Sequence, residues 1–272
     1  MFATENNHKI MNKKVAIITG GTAGIGREVC LLVASKGVKV VVAGRNTERG
    51  AEVVKQIHSS GGEAFFVSTD VGLEKDVKNL VDSTLQAYGR VDFLFNNAGT
   101  EGVLGPLEIN TEEVIDEVLS ANIKGVILCI KHVLPEMVKQ GSGVVVNTAS
   151  FVGTTMPLPV AVVYGASKSA VLSITQSVAA SCADKNVQVY AVCPWVTDTP
   201  MADRLNGHDV EAKAAFGASI NPSGAIVPAS EIADAVLGLF TGANGIKSGE
   251  AILVDKGGVT NQIIPMSIAD RI

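Results

Sequence analysis

Aromatic bulk is scarce in this chain: one tryptophan, three tyrosines and eight phenylalanines stand among 272 residues. Hydrophobic residues still reach 47%, so the apolar mass is Val, Ile, Leu and Ala, the composition of parallel strands covered on both faces. Charge is sparse as well, at 18%, and 22 basic against 27 acidic residues leave a net of −5 with no basic run. That argues against nucleic acid and against an anionic membrane surface as partners. The four cysteines, Cys30, Cys129, Cys182 and Cys193, lie in apolar stretches without paired metal-ligand spacing. They read as reduced, buried thiols of a cytoplasmic enzyme, with no metal site. A membrane span would need about 18 consecutive apolar residues, and none is present. The stretch between Lys139 and Lys168 has no charged side chain, yet Gly141, Gly143, Asn147, Gly153, Pro157 and Pro159 interrupt it. It reads as a buried strand followed by a loop lining a site. Residues 1–12 are polar and mixed, without the apolar core of a signal peptide, and are expected to form a short extension.

What is present is alternation. Apolar runs at Lys14–Thr19, Lys39–Ala43, Ala64–Ser68, Phe93–Asn96, Gly143–Thr148, Gln188–Cys193 and Ala251–Val254 read as seven strands. Between them, helical patterns occupy Gly26–Lys36, about 47–58, 73–88, 111–139, 164–184, 201–215 and 229–241. Strand–helix alternation predicts an α/β fold: a single Rossmann-type, doubly wound parallel sheet flanked by helices. With no repeat and no linker, one domain over 13–262 and a tail over 263–272 are expected.

Glycines gather between the first strand and first helix, in Thr19-Gly20-Gly21-Thr22-Ala23-Gly24-Ile25-Gly26. There they let backbone approach a pyrophosphate, whose charge rests on the helix N-terminus. An acidic residue ending the second strand would bind a ribose 2′-hydroxyl and repel a 2′-phosphate. Gly44 stands there instead and Arg45 follows, which favours NADP(H) over NAD(H), the alternative being that Arg45 is a solvated surface residue. Asp70, after the third strand, is placed for the adenine edge or for capping the next helix. Asn96-Asn97-Ala98-Gly99 ends the fourth strand at the carboxyl edge, where small residues permit close backbone approach.

Tyr164 and Lys168 are four positions apart, one helical turn, so the ammonium lies near the phenol and is expected to lower its pKa. That is the outline of a general acid/base. Taken together, Thr19-Gly20-xxx-Gly24-Ile25-Gly26, Asn96-Asn97-Ala98-Gly99, Asn122, Ser150 and Tyr164-xxx-Lys168 make the chain resemble the classical short-chain dehydrogenase/reductase family, over residues 13 to about 262. The resemblance implies NAD(P)-dependent oxidation or reduction at a carbonyl/alcohol carbon by a homo-oligomer, usually a tetramer. It assigns Tyr164 as acid/base, Lys168 as its pKa modulator and ribose binder, Ser150 as holder of the substrate oxygen, and Asn122 as support for a water relay. It also places Gly20, Thr22, Gly24, Ile25, Gly26, Arg45, Asp70, Val71, Asn96, Ala98, Gly99, Tyr164, Lys168, Pro194, Thr197 and Thr199 around the cofactor.

Three departures from the family pattern stand out. Ser150 and Tyr164 are 14 positions apart, one more than usual, with the extra residue in the Gly153–Pro159 loop. Trp195 replaces the usual glycine after Pro194, and so requires a φ open to a bulky residue. Asp255-Lys256-Gly257-Gly258 is one residue longer than the common Asp-Gly-Gly. Met201–Ala225, carrying Arg204, His208 and Phe216, reads as a lid, with His208 as a solvated loop residue. Phe151, Met156, Leu158 and Trp195 suggest an apolar wall. The expected substrate is a small-molecule ketone or secondary alcohol with an apolar portion. The alternatives are an NAD-dependent polyol, sugar or hydroxysteroid dehydrogenase and, in another class, a nucleotide-binding regulator without turnover.

Overall fold

The β-branched runs form strands whose alternate side chains point to opposite faces. In β1 (Val15–Thr19), Ile17 enters one apolar layer with Val41, Leu94, Val145 and Val189, while Ala16 and Ile18 enter the other with Val40, Val42, Phe95 and Val146. The computed structural model describes Met11, residues 13–243 and 245–258, and the backbone of 263–264. The remaining strands are β2 (Lys39–Gly44), β3 (Ala64–Ser68), β4 (Phe93–Asn96), β5 (Gly143–Thr148), β6 (Val187–Pro194), β7 (Ala251–Val254) and β8 (Ile263–Ile264). They form one sheet of order β3-β2-β1-β4-β5-β6-β7-β8. Seven strands are parallel, as the alternation predicted, and β8 adds an antiparallel pair on β7 inside the segment read as a tail. Residues 1–10, 12 and 265–272 of the expected extension and tail lie outside the described residues.

The order reverses between β1 and β4, so the loops after these strands part and leave a crevice at the carboxyl edge. Helices α1 (Gly24–Ser35), α2 (Thr47–Ser59), α3 (Glu74–Tyr88), α4 (Glu112–Leu119), α5 (Gly125–Gln140), α6 (Val162–Ser181), α7 (Pro200–Leu205), α8 (Val210–Ile220) and α9 (Ala229–Thr241) cover the sheet and crevice. Asn46 starts α2 by accepting the Arg49 amide at 2.8 Å, and Gly89, in the left-handed region, ends α3.

Two helical patterns divide. The run over 111–139 is broken by a π turn at Ser120–Lys124, where one extra residue per turn rotates Asn122 inward. The run over 201–215 becomes α7 and α8, separated at Gly207 and His208, both with positive φ. Glu112–Gln140 is long and apolar enough to cross a membrane by length and composition. Its Val126, Leu128, Cys129, Ile130 and Val133 are instead buried in the sheet's apolar layer, the geometry of a core helix.

Candidate active site

The crevice holds a cavity of about 290 Å³. Its lining includes Gly20, Gly24, Ile25, Ala98, Gly99, Ser150, Tyr164, Lys168, Pro194, Thr197 and Thr199 of the residues expected from sequence. At one end, Gly20 and Gly24 adopt φ of +64° and +52°, a conformation that L side chains rarely take. A Cβ on Gly26 would collide with the Gly20 carbonyl. Thr19 ties this turn to the neighbouring strand end: its hydroxyl donates to the Phe95 carbonyl (3.2 Å) and accepts from the Asn97 and Ala98 amides (3.0 and 3.2 Å). The turn therefore keeps its cradle shape and leaves bare backbone at the start of α1, which fits a dinucleotide's phosphates.

Thr22 packs beside Gly44, where an added Cβ would lie 2.9 Å from the Thr22 methyl. Gly44 thus has a packing reason of its own. Arg45 is exposed and does not line the cavity. Arg49, from the first turn of α2, does line it, and no sequence pattern singled it out. Asp70 accepts the Gly72 amide at 2.9 Å, so its carboxylate shapes the turn before α3. Val71 is buried against Gly125. Asn96 is buried too, donating to Asn147 at 2.9 Å, while Asn147 donates to Thr175 at 2.9 Å. This chain of bonds locks β4, β5 and α6 together beneath the cavity.

At the other end, α6 carries Tyr164 and Lys168. Gly153 brings the loop after β5 against this helix, and a Cβ there would lie 2.7 Å from the Ser169 amide. The Ser169 hydroxyl adds a bond to the Gly153 carbonyl at 3.0 Å. The close approach sets Ser150 beside Tyr164, where the serine hydroxyl, which also accepts the Val152 amide at 3.3 Å, favours the phenolate. Burial pushes the Tyr164 phenol up to about 12; the Ser150 hydroxyl lowers it and the Glu101 charge raises it. Burial likewise draws the Lys168 ammonium down to about 8. Lys168 donates to the Thr148 carbonyl at 2.8 Å, with its nitrogen 5.5 Å from the Tyr164 ring centre. The lowered phenol expected from the Tyr–Lys spacing is therefore not what this site shows: desolvation by burial dominates, and Lys168 is bonded to the Thr148 carbonyl and not to the phenol.

Asn122 lies just behind the cavity wall. Its amide accepts from the Thr100 N–H and donates to the Thr100 carbonyl and the Ser167 hydroxyl, each at 2.9 Å. Its oxygen and the Lys168 nitrogen both come within 3.7 Å of the point where a Cβ on Gly99 would sit.

The apolar wall forms from Phe151, Leu158 and Trp195, joined by Leu104, Met201 and Phe216; Met156, half-buried against the core, does not line the cavity. Trp195 directly follows β6 without a left-handed φ, its amide donating to the Val254 carbonyl at 3.1 Å. Its ring stacks on Phe151, with centroids 4.6 Å apart and planes at 17°. The indole N–H is buried without a partner among the described residues, as is the Thr148 hydroxyl.

The segment read as a lid consists of α7 and α8. Asn221 fixes its far end through Val196 (N–H and carbonyl, 2.9 Å each) and the Ala225 carbonyl (2.7 Å). Asp255 holds the next turn, accepting the Ser223 amide and hydroxyl at 2.7 Å each. The long terminal motif thus braces the lid. His208 is exposed, as expected of a loop residue.

Residues 14–209 match the short chain dehydrogenase family. Cyclopentanol dehydrogenase of Comamonas testosteroni is 33% identical over 251 residues, covering 92% of this chain and 99% of that one. Among solved structures, a single-residue variant of actinorhodin polyketide ketoreductase with NADPH is similar at a TM-score of 0.84 and 32% identity, over 92% of this chain and 98% of the other. NAD+-bound xylitol dehydrogenase is similar at 0.85 and 27%, over 91% and 99%. Glycine cradle, Ser150–Tyr164–Lys168 cluster and sheet order agree with these relationships, and the chain belongs to the classical short-chain dehydrogenase/reductase family of NAD(P)-dependent oxidoreductases acting on secondary alcohols and ketones.

Proposed function

We propose that this protein is an NADP(H)-preferring ketone reductase or secondary-alcohol dehydrogenase whose substrate carries an apolar, ring-sized portion. The observation that carries the reading is that Ser150, Tyr164 and Lys168 line the same cavity as the glycine cradle. Bound along the cradle, the nicotinamide dinucleotide supplies the hydride for reduction and takes it up in oxidation. Ser150 holds the substrate oxygen and stabilises the negative charge developing there. Tyr164 gives its proton to that oxygen in reduction and, as phenolate, takes it back in oxidation. Lys168 and Asn122 both approach Gly99, and in this reading they support the water relay that would return a proton from solvent.

Phe151, Leu158, Trp195 and Phe216 present apolar surface to the substrate, in keeping with the alicyclic alcohol named for the Comamonas relative. Arg49 at the cavity and exposed Arg45 supply guanidinium groups for a 2′-phosphate. The packing of Gly44 on Thr22 favours a second reading, NAD dependence, because it explains the glycine without any phosphate.

Ile127 and Val138 are exposed on one face of α5, with Val160 and Val162 exposed at the start of α6. Such apolar surface suits a second copy, hence a homo-oligomer, and four buried free thiols suit the cytoplasm.

Fluorescence titration with NADPH and NADH tests the cofactor reading: tighter NADPH supports it, tighter NADH selects the second. Tyr164→Phe should lower kcat on cyclic ketones by about a thousandfold while nucleotide affinity stays within about twofold. A Phe variant that turns over ketones at the wild-type rate would overturn the assignment.

A further inference from the structure

One ion pair at the cavity has been given no role toward the substrate. Glu101, in the loop after β4, is 8% exposed, and both its carboxylate oxygens are taken by Arg204 of α7, Nε at 2.9 Å and Nη2 at 2.9 Å. Both residues line the cavity with Ser150 and Tyr164, and Met201 and Leu205 of the same short helix line it too. This bidentate contact joins the lid to the strand-end loop across 103 residues of sequence. The other lining cations are Lys168, bonded to the Thr148 carbonyl, and Arg49, on α2 beside the cradle. The lid side of the cavity therefore carries one negative and one positive group, and they neutralise each other.

We propose that the Glu101–Arg204 pair is a specificity clasp that rejects anionic substrates, and that removing the Glu101 charge turns Arg204 into a receptor for a carboxylate. An incoming carboxylate now meets a buried anion and a guanidinium whose fork is already filled. Replacing Glu101 by the isosteric amide removes the repulsion and frees donors that bind a carboxylate in the same two-point geometry. Arg204 is 52% exposed, so water solvates it when it is released and the lid loses little stability. The proposal rests on the preceding section only in taking this end of the cavity as the substrate's, and its test needs neither cofactor nor turnover. Failure of the reductase reading and failure of the clasp are therefore told apart.

The chain's one tryptophan, Trp195, lines the cavity, so its fluorescence reports occupancy directly. Wild type, Glu101→Gln, Glu101→Ala and the double variant Glu101→Gln/Arg204→Gln are titrated at pH 7 with cyclohexanecarboxylate and with cyclohexanecarboxamide. Wild type should bind the amide more tightly. Glu101→Gln and Glu101→Ala should each bind the carboxylate about tenfold more tightly than wild type, with the amide changed less than about threefold. The double variant should lose that gain. A gain below about threefold in both single variants, or one that survives loss of Arg204, overturns the proposal.

Discussion

The two ends of the cavity are built in different ways. The cradle end comes from consecutive residues: Gly20, Gly24 and Gly26 fall within seven positions, and Thr19 fastens them to the end of the neighbouring parallel strand. The lid end comes from residues far apart in the chain. Glu101 meets Arg204, Asn221 meets Val196, and Asp255 meets Ser223. One end is a local backbone conformation that few sequences satisfy, whereas the other is a set of side-chain agreements that many sequences could make. Cofactor binding should therefore respond to backbone changes, and substrate binding to side-chain changes, with little exchange between them.

Gly26→Val would break the cradle most severely. Its side chain collides with the Gly20 carbonyl, so dinucleotide affinity should fall by about 100-fold while Trp195 fluorescence still reports binding of a neutral cyclic ketone. Comparable affinity in variant and parent would mean that the cradle bends more easily than its contacts imply. At the lid, Asn221→Ala removes three hydrogen bonds of a buried amide and should cost about 2 kcal/mol in urea denaturation. Proteolysis between residues 197 and 225 should speed up, with nucleotide affinity unchanged. Trp195→Gly takes away the stack on Phe151 and should raise KM for a cyclic ketone about tenfold at constant nucleotide affinity.

The floor shared by both ends has a pH signature. Burial lowers Lys168 to about 8 from an ordinary 10.5, so between these values the unfolded chain binds more protons and raising the pH favours the folded state. From pH 8 to 9 the wild type should gain about 1 kcal/mol relative to Lys168→Met, read from paired urea curves. An equal response in both proteins would show that Lys168 is not desolvated. The smallest effect belongs to exposed charges: Arg45→Gln/Arg49→Gln should weaken NADPH about fivefold and NADH hardly at all.

Most of the fold was legible because period-two apolar runs and glycine turns are local. β8 was not: two isoleucines are too short to show alternation, and their pairing depends on β7 being there. The long pattern over 111–139 gave no sign of the π turn, since one inserted residue barely disturbs a 3.6 period, yet it carries Asn122 inward. The Tyr–Lys spacing put both side chains on one helix at the cavity, but did not show the direction in which burial pushes the phenol. Spacing gives proximity, while the balance between an ammonium and desolvation depends on everything packed above α6. Arg49 was missed because a basic residue in a helix's first turn looks like ordinary surface until the crevice is closed around it.

The sequence by itself determined the doubly wound sheet, the cradle, the Ser150–Tyr164–Lys168 cluster and the family, because each depends on short-range backbone rules or fixed spacing. Only the tertiary structure decided which side chains face the cavity, how far burial shifts Tyr164 and Lys168, and that Glu101 closes on Arg204. These are properties of distance and desolvation between segments up to a hundred residues apart, and no local pattern encodes them.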